Sequence, residues 1–373
     1  MSLSIGIVGL PNVGKSTLFK ALTKKEVDIA NYPFCTIDPN VGVVEVPDER
    51  LQKLSDLSHS KKIVPAVVEF VDIAGLVRGA NKGEGLGNQF LSRIRDVDAI
   101  LYMVRLFEDS EIHHVEETID PLRDVDIVQT ELILKDLETV EKRLERARPV
   151  RGNASNGARK DAKSGSKEIQ IEVALLEELA SALGDGKGAL TILKGHEDSA
   201  DFTAKSELLK SYQLLTAKPG MFVLNIKDAQ IIILENVKQY IANTGFPYVA
   251  LNAREELEGA GFTASERKEL GLGEAHLGEL IVKAYEVLNL ITFLTTGEDE
   301  SRAWTIKRGT KAPQAAGVIH TDFDKNFIRA EVIGWQELLE IGGWSEARMQ
   351  GKLRLEGKDY VVQDGDVMVI RHG

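Results

Sequence analysis

The chain has 373 residues, 43% hydrophobic and 28% charged, with a formal net charge of −12, which suits two or three globular domains and argues against a protein basic all over that coats nucleic acid. No apolar run approaches the ~20 residues of a membrane helix, and no basic-then-apolar leader opens the sequence, so no membrane partner is expected. A single cysteine, Cys35, excludes an internal disulfide framework and suits a reducing, cytoplasmic setting.

The first apolar run, Ile5-Gly-Ile-Val8, predicts a strand, and Leu18-Phe-Lys-Ala-Leu22 predicts a helix. Between them Gly9-Leu-Pro-Asn-Val-Gly14-Lys15-Ser16-Thr17 reads G-x-x-x-x-G-K-S, the phosphate-binding loop in its proper strand–loop–helix context. Its glycines let backbone N–H groups converge on one concavity at the positive end of a helix. Lys15 can reach the terminal phosphates, and the Ser16 hydroxyl can ligate Mg²⁺. A glycine-rich turn opening an ordinary helix would explain the glycines but not Lys15-Ser16.

A Pro-punctuated polar segment, Asn31-Tyr-Pro-Phe-Cys-Thr36-Ile-Asp-Pro-Asn40, follows where a switch loop belongs. Thr36 is its candidate second Mg²⁺ ligand, against the plain reading of a loop threonine. Cys35 beside it reads as a small hydrophobe or as an oxidisable thiol. Val67-Val-Glu-Phe-Val71 predicts a buried strand ending at Asp72-Ile-Ala-Gly75, with Asp72 placed to hold Mg²⁺ through water and Gly75 to meet the γ-phosphate. The next residue is Leu76, where Ras-like switches carry a water-orienting Gln. After the strand Ala99-Ile-Leu-Tyr-Met-Val104, His113 and His114 are the candidates for that task, His114 foremost, unless both simply face solvent.

From Gln129 onward, Ile133, Leu137, Val140, Leu144 and Ala147 recur at helical spacing, and Ile169, Val173, Leu176, Ala180 and Leu183 repeat the pattern. Two such helices predict an antiparallel hairpin, inserted over 129–216 and with a first helix about 30 Å long. Between Lys142 and Lys167 nine basic residues face two acids, a local net of +7. Such a run is either a solvated tip or an arm that meets RNA phosphates. Met221-Phe-Val-Leu224 predicts a strand leading to Asn225-Ile-Lys-Asp228, which keeps the Asn and Asp of the guanine-reading N-K-x-D loop but replaces its Lys by Ile226. A further strand, Tyr248-Val-Ala-Leu251, leads into Asn252-Ala-Arg-Glu255.

Ala284–Leu294 passes from helix to strand and opens a last region of about eighty residues with short strands at Ala303–Ile306, Arg308–Lys311, Phe327–Ile333, Tyr360–Val362 and Val367–Ile370. This pattern, with Gly317-Val-Ile-His-Thr-Asp-Phe323, resembles the TGS domain, a small β-grasp module. His320 and His372 read as structural or surface residues.

Four strings together, Gly9–Phe19, Asn31–Asn40, Asp72–Ala80 and Gly83–Phe90, resemble the YchF/Obg-like ATPase family, and the hairpin and C-terminal region follow its order along essentially the whole chain. The fold class is therefore expected to be α/β: a P-loop NTPase (G-domain-like) sheet with a helical coiled-coil insertion and a C-terminal β-grasp (TGS) domain. The expected division is a nucleotide-binding domain over 1–282, interrupted by the hairpin, and a TGS domain over 289–373. The resemblance implies Mg²⁺-dependent hydrolysis of ATP, with a hydrophobic residue in place of the catalytic Gln as Leu76 is here, and association with ribosomes, the large (50S) subunit RNA being the expected partner. Ser16 and Thr36 inherit Mg²⁺ ligation, and Asn12 through Thr17 the phosphate contacts. The family's N-x-x-E loop becomes Asn225–Asp228 here, so GTP stays open beside ATP. Two readings remain beside the ATPase: a conventional GTPase switch, and a nucleotide-gated ribosome-binding module whose hydrolysis is incidental.

Overall fold

Strand β1 (Ser4–Val8) and helix α1 (Lys15–Thr23) flank the glycine loop, as its spacing predicts. The computed structural model describes residues 3–24, 32, 38–73, 88–108, 119–147, 162–195, 202–227 and 231–373. The chain continues through β2 (Val41–Glu45), α2 (Glu49–Ser58), β3 (Ile63–Val64), β4 (Val67–Asp72), α3 (Asn88–Asp96) and β5 (Ala99–Arg105). Next come α4 (Pro121–Ala147), α5 (Ala162–Gly184), α6 (Ala189–Gly195), α7 (Phe202–Tyr212), β6 (Gly220–Asn225), α8 (Ile231–Thr244) and β7 (Tyr248–Leu251). Three helices, α9 (Ala253–Glu258), α10 (Ala264–Glu269) and α11 (Leu277–Val287), precede the last region. That region holds β8 (Leu290–Thr296), β9 (Ser301–Lys307), α12 (Ala312–Ile319), α13 (Thr321–Lys325), β10 (Phe327–Gly334), α14 (Trp335–Ile341), α15 (Trp344–Met349), β11 (Arg354–Glu356) and β12 (Asp366–His372).

Six strands form one sheet in the order β2-β4-β1-β5-β6-β7. β2 runs antiparallel to β4, while β5 and β6 are parallel from Ile100 opposite Gly220 to Arg105 opposite Asn225. Both are buried along their whole length, which explains their nearly unbroken apolar runs. The chain falls into two compact units: Met1–Ile5, Thr17–Val71 and Leu251–Gly373 make one, Gly6–Ser16 and Asp72–Ala250 the other.

The first unit contains the second sheet, in the order β11-β10-β12-β8-β9-β3. Phe293, Ile306, Phe327, Val332 and Met368 pack with Ala315 and Ala316 of α12 to form its core. Arg308–Lys311 is not a strand as the sequence suggests. Gly309 turns there at φ +89°, and only Lys311 bridges to Val361. The stretch Gly317–Phe323 is helical on both sides of His320. Sequence reading also gives no sign that β3, from the first third of the chain, pairs in parallel with β9. Arg50 of α2 supports this arrangement through Asp364, at 2.6 Å.

In the second unit α4 and α5 pack together as the hairpin. Its first helix starts at Pro121, not near Gln129, so its 27 residues span about 40 Å. Pro suits a first helical turn, and Asp120 caps it by accepting from the Arg123 backbone N–H. Val140, Leu144, Leu176 and Leu183 are buried as their spacing predicts, whereas Ile169 is 51% exposed. The seam also admits Asp136, whose carboxylate accepts from the backbone N–H groups of Leu215 and Thr216 and from the Thr216 hydroxyl. Ala189, Leu209, Tyr212 and Leu214 complete this core, so the helices bury more than each other.

Candidate functional site

The phosphate loop is shaped by backbone conformations that only certain residues tolerate. Gly9 and Gly14 sit at φ +152° and +106°, and Asn12 at +64°, in the left-handed region that asparagine visits more readily than most residues. Space is equally restrictive: a Cβ on Gly9 would collide with the Met103 carbonyl oxygen, and one on Gly14 would lie 2.5 Å from Asn225 Nδ2. Val13 is buried, and its carbonyl accepts from Asn225 Nδ2 at 2.8 Å. The asparagine expected to read the base thus also braces the phosphate loop.

α1 begins at Lys15, so Lys15, Ser16 and Thr17 lie in the first turn, where backbone N–H groups have no partner within the helix. The Lys15 side chain is buried and folds back on the loop, donating to the carbonyl oxygens of Gly9 at 2.8 Å and Leu10 at 2.6 Å. Burial lowers its amine to about 8, although the nearby Asp72 carboxylate acts in the opposite direction. Ser16 Oγ donates to Asp72 Oδ2 at 3.2 Å. That pair is a set of hard oxygen donors at the mouth of a phosphate loop and fits Mg²⁺, which favours few protein ligands beside water and phosphate oxygens. Among the described residues no group of three or more His, Cys, Asp or Glu could hold a metal ion.

The structure therefore brings together Asn12, Val13, Gly14, Lys15, Ser16, Asp72 and Asn225, with Thr17 in the same helical turn. Thr36, Gly75, His114 and Asp228, like Cys35, Leu76 and His113, lie outside the described residues. Arg105, a buried arginine at the end of β5 beside Asn225, is missed by sequence reading. Its strand is otherwise apolar, and that contrast is the signal that could have found it.

This loop, its helix and the facing aspartate define a P-loop nucleoside-triphosphate-binding protein of the GTPase structural class. Residues 4–136 match the family model MMR_HSR1, described as "50S ribosome-binding GTPase", and residues 290–373 match YchF-GTPase_C, described as "Protein of unknown function (DUF933)". A Bacillus subtilis relative named "Ribosome-binding ATPase YchF" is 46% identical over 100% of this chain and 99% of its own length. The protein of the same name from Haemophilus influenzae is 46% identical at the same coverage. The solved structure of the Schizosaccharomyces pombe YchF GTPase superposes with a TM-score of 0.85 at 40% identity, covering 99% of this chain and 98% of that one. The chain belongs to the YchF family. No helix among the described residues is long and apolar enough to cross a membrane.

Proposed function

We propose that this chain is an ATP hydrolase that converts ATP to ADP and phosphate and associates with the ribosome through its large subunit, in the cytoplasm. The observation that carries the reading is the Lys15–Ser16–Asp72 arrangement, held in a chain that matches ribosome-binding ATPases end to end. Asn12 through Thr17 cradle the phosphates, and Lys15 exchanges its two loop carbonyls for phosphate oxygens. Ser16, with Thr36 and Asp72, would hold Mg²⁺, which when bound neutralises phosphate charge and stabilises the leaving group. Gly75 senses the γ-phosphate. His114 orients the attacking water, a task Leu76 cannot perform because its side chain forms no hydrogen bond. Asn225 and Asp228 face the base. Residues 1–282 form the nucleotide domain around the hairpin, whose first helix begins at Pro121, and 289–373 form a TGS domain.

One feature favours GTP as the second reading: Asn225 and Asp228 stand at the spacing of a guanine reader. The absence of Lys at Ile226 favours ATP. Co-sedimentation with 70S ribosomes and isolated large subunits tests the partner. The expected result is binding that differs between a non-hydrolysable ATP analogue and ADP. No association in either state overturns the ribosomal part of the reading.

A further inference from the structure

Arg105 is 1% exposed and is the bulkiest of the fully buried side chains among the described residues. Holding a guanidinium inside a strand whose other residues are apolar is costly in desolvation, and an aliphatic residue would fill the same space without that cost. Two of its contacts show what the side chain organises. Arg105 Nε donates to the Phe107 carbonyl oxygen at 3.0 Å, and the guanidinium carbon lies 4.7 Å from the centre of the Phe107 ring. One side chain thereby folds over the exit of β5 and ties Arg105 to Phe107.

The strand exit is linked to the phosphate loop by two hydrogen bonds, both made by Asn225. The Leu106 backbone N–H donates to the Asn225 carbonyl oxygen at 2.9 Å, and Arg105 is the register partner of Asn225. The Asn225 amide then donates to the Val13 carbonyl oxygen at 2.8 Å. Met103, two residues before Arg105 and so on the same face of β5, lies against Gly9 and Gly14. The end of β5 thus meets the loop directly through Met103 and indirectly through Asn225.

We infer that Arg105 is a positioning residue for the nucleotide: it fixes the β5 exit so that Asn225 holds the phosphate loop in its binding shape. It acts through Asn225 and needs no contact with the ligand. The inference rests on the functional reading above, because it presupposes a triphosphate in the loop.

The test is the equilibrium affinity of the full chain for Mg·ATP in the parent, Arg105→Met, Asn225→Ala and the double variant, with thermal unfolding recorded on each without nucleotide. Methionine keeps most of the volume and removes the charge, so Arg105→Met is expected to bind ATP at least fivefold more weakly while still unfolding in a cooperative thermal transition. The double variant is expected to bind no more weakly than Asn225→Ala alone, because both changes break one chain of contacts. Arg105→Lys keeps the charge without the planar fork that lies on Phe107 and is expected to fall between parent and Arg105→Met. Should Arg105→Met fail to fold, Arg105→Lys carries the same comparison with Asn225→Ala, with a threefold loss as its threshold. A smaller loss, or losses that multiply in the double variant, overturns the inference while the parent still binds ATP. A parent that binds no nucleoside triphosphate overturns the functional reading itself, and this inference with it.

Discussion

Ser16 Oγ donates to Asp72 Oδ2 across 3.2 Å, joining the first turn of α1 to the end of β4. A neutral hydroxyl and a carboxylate this close can share a hydrated cation with little rearrangement. Ser16→Ala and Asp72→Asn are therefore expected to lower Mg²⁺-supported hydrolysis by at least tenfold while weakening metal-free ATP binding much less. Phosphate release across a Mg²⁺ titration checks this. Unchanged Mg²⁺ dependence in both variants would remove the pair from the metal site.

Lys15 carries a pH signature. Its amine stands at about 8 in the free chain because burial disfavours the charge, and phosphate oxygens favour the charged form. Binding therefore takes up a proton wherever the free amine is neutral: about one chain in ten at pH 7 and about nine in ten at pH 9. ATP affinity is expected to fall roughly tenfold per pH unit above pH 8. Folding is linked with a definite sign. The folded value lies below the unfolded 10.5, so the buried charge costs the free chain stability below about pH 8. That cost is relieved as pH rises toward 10.5. Calorimetry in two buffers of different ionisation enthalpy measures the uptake, which Lys15→Ala should abolish.

Gly14→Ala places a methyl group 2.5 Å from Asn225 Nδ2 at a backbone φ of +106°. Strain at such a φ contributes about 1–3 kcal/mol before the clash is counted. The variant is expected to lose both stability in urea and ATP binding, and binding at parental affinity would contradict the geometry of the loop.

The phosphate loop is legible in the sequence because glycines at left-handed positions, a buried strand and Lys15-Ser16 leave few alternatives for one stretch. Asp72 is legible because a strand end follows an apolar run. Arg105 is easily passed over, since a charge at a strand end reads as solvated, and only its contrast with the apolar run before it hints that it is buried. β3 is hidden because two residues carry no periodicity, and its pairing with β9 is set some 240 positions away in the chain. Asp136 escapes the heptad reading because its partners, Leu215 and Thr216, lie outside the two paired helices α4 and α5. Helix α12 is obscured by Gly317, Val318 and Ile319, and α13, α14 and α15, of 5, 7 and 6 residues, are too short to show a helical period. Local patterning shows what a segment prefers, and these residues take their places from distant neighbours.

The first cations of the basic run, near the C-terminal end of α4, are engaged within this helical unit: Lys142 pairs with Glu138, and the Arg143 guanidinium lies 4.7 Å from the centre of the Tyr212 ring. A polyanion is therefore expected to engage the rest of the basic run. Changing Arg148, Arg151, Arg159, Lys160 and Lys163 to Gln is expected to leave ATP affinity unchanged. The log–log salt slope of ribosome association should flatten by roughly 0.7–0.9 for each phosphate that is no longer neutralised. An unaltered slope in co-sedimentation across a salt series would assign the run to a solvated tip.

The most direct measurement is phosphate release by the purified chain from ATP and from GTP with Mg²⁺, the parent beside Lys15→Ala. The account predicts turnover of ATP that Lys15→Ala abolishes, with kcat/KM for ATP at least equal to that for GTP. Release from ATP no faster than in Lys15→Ala, or kcat/KM more than tenfold higher for GTP, would contradict it.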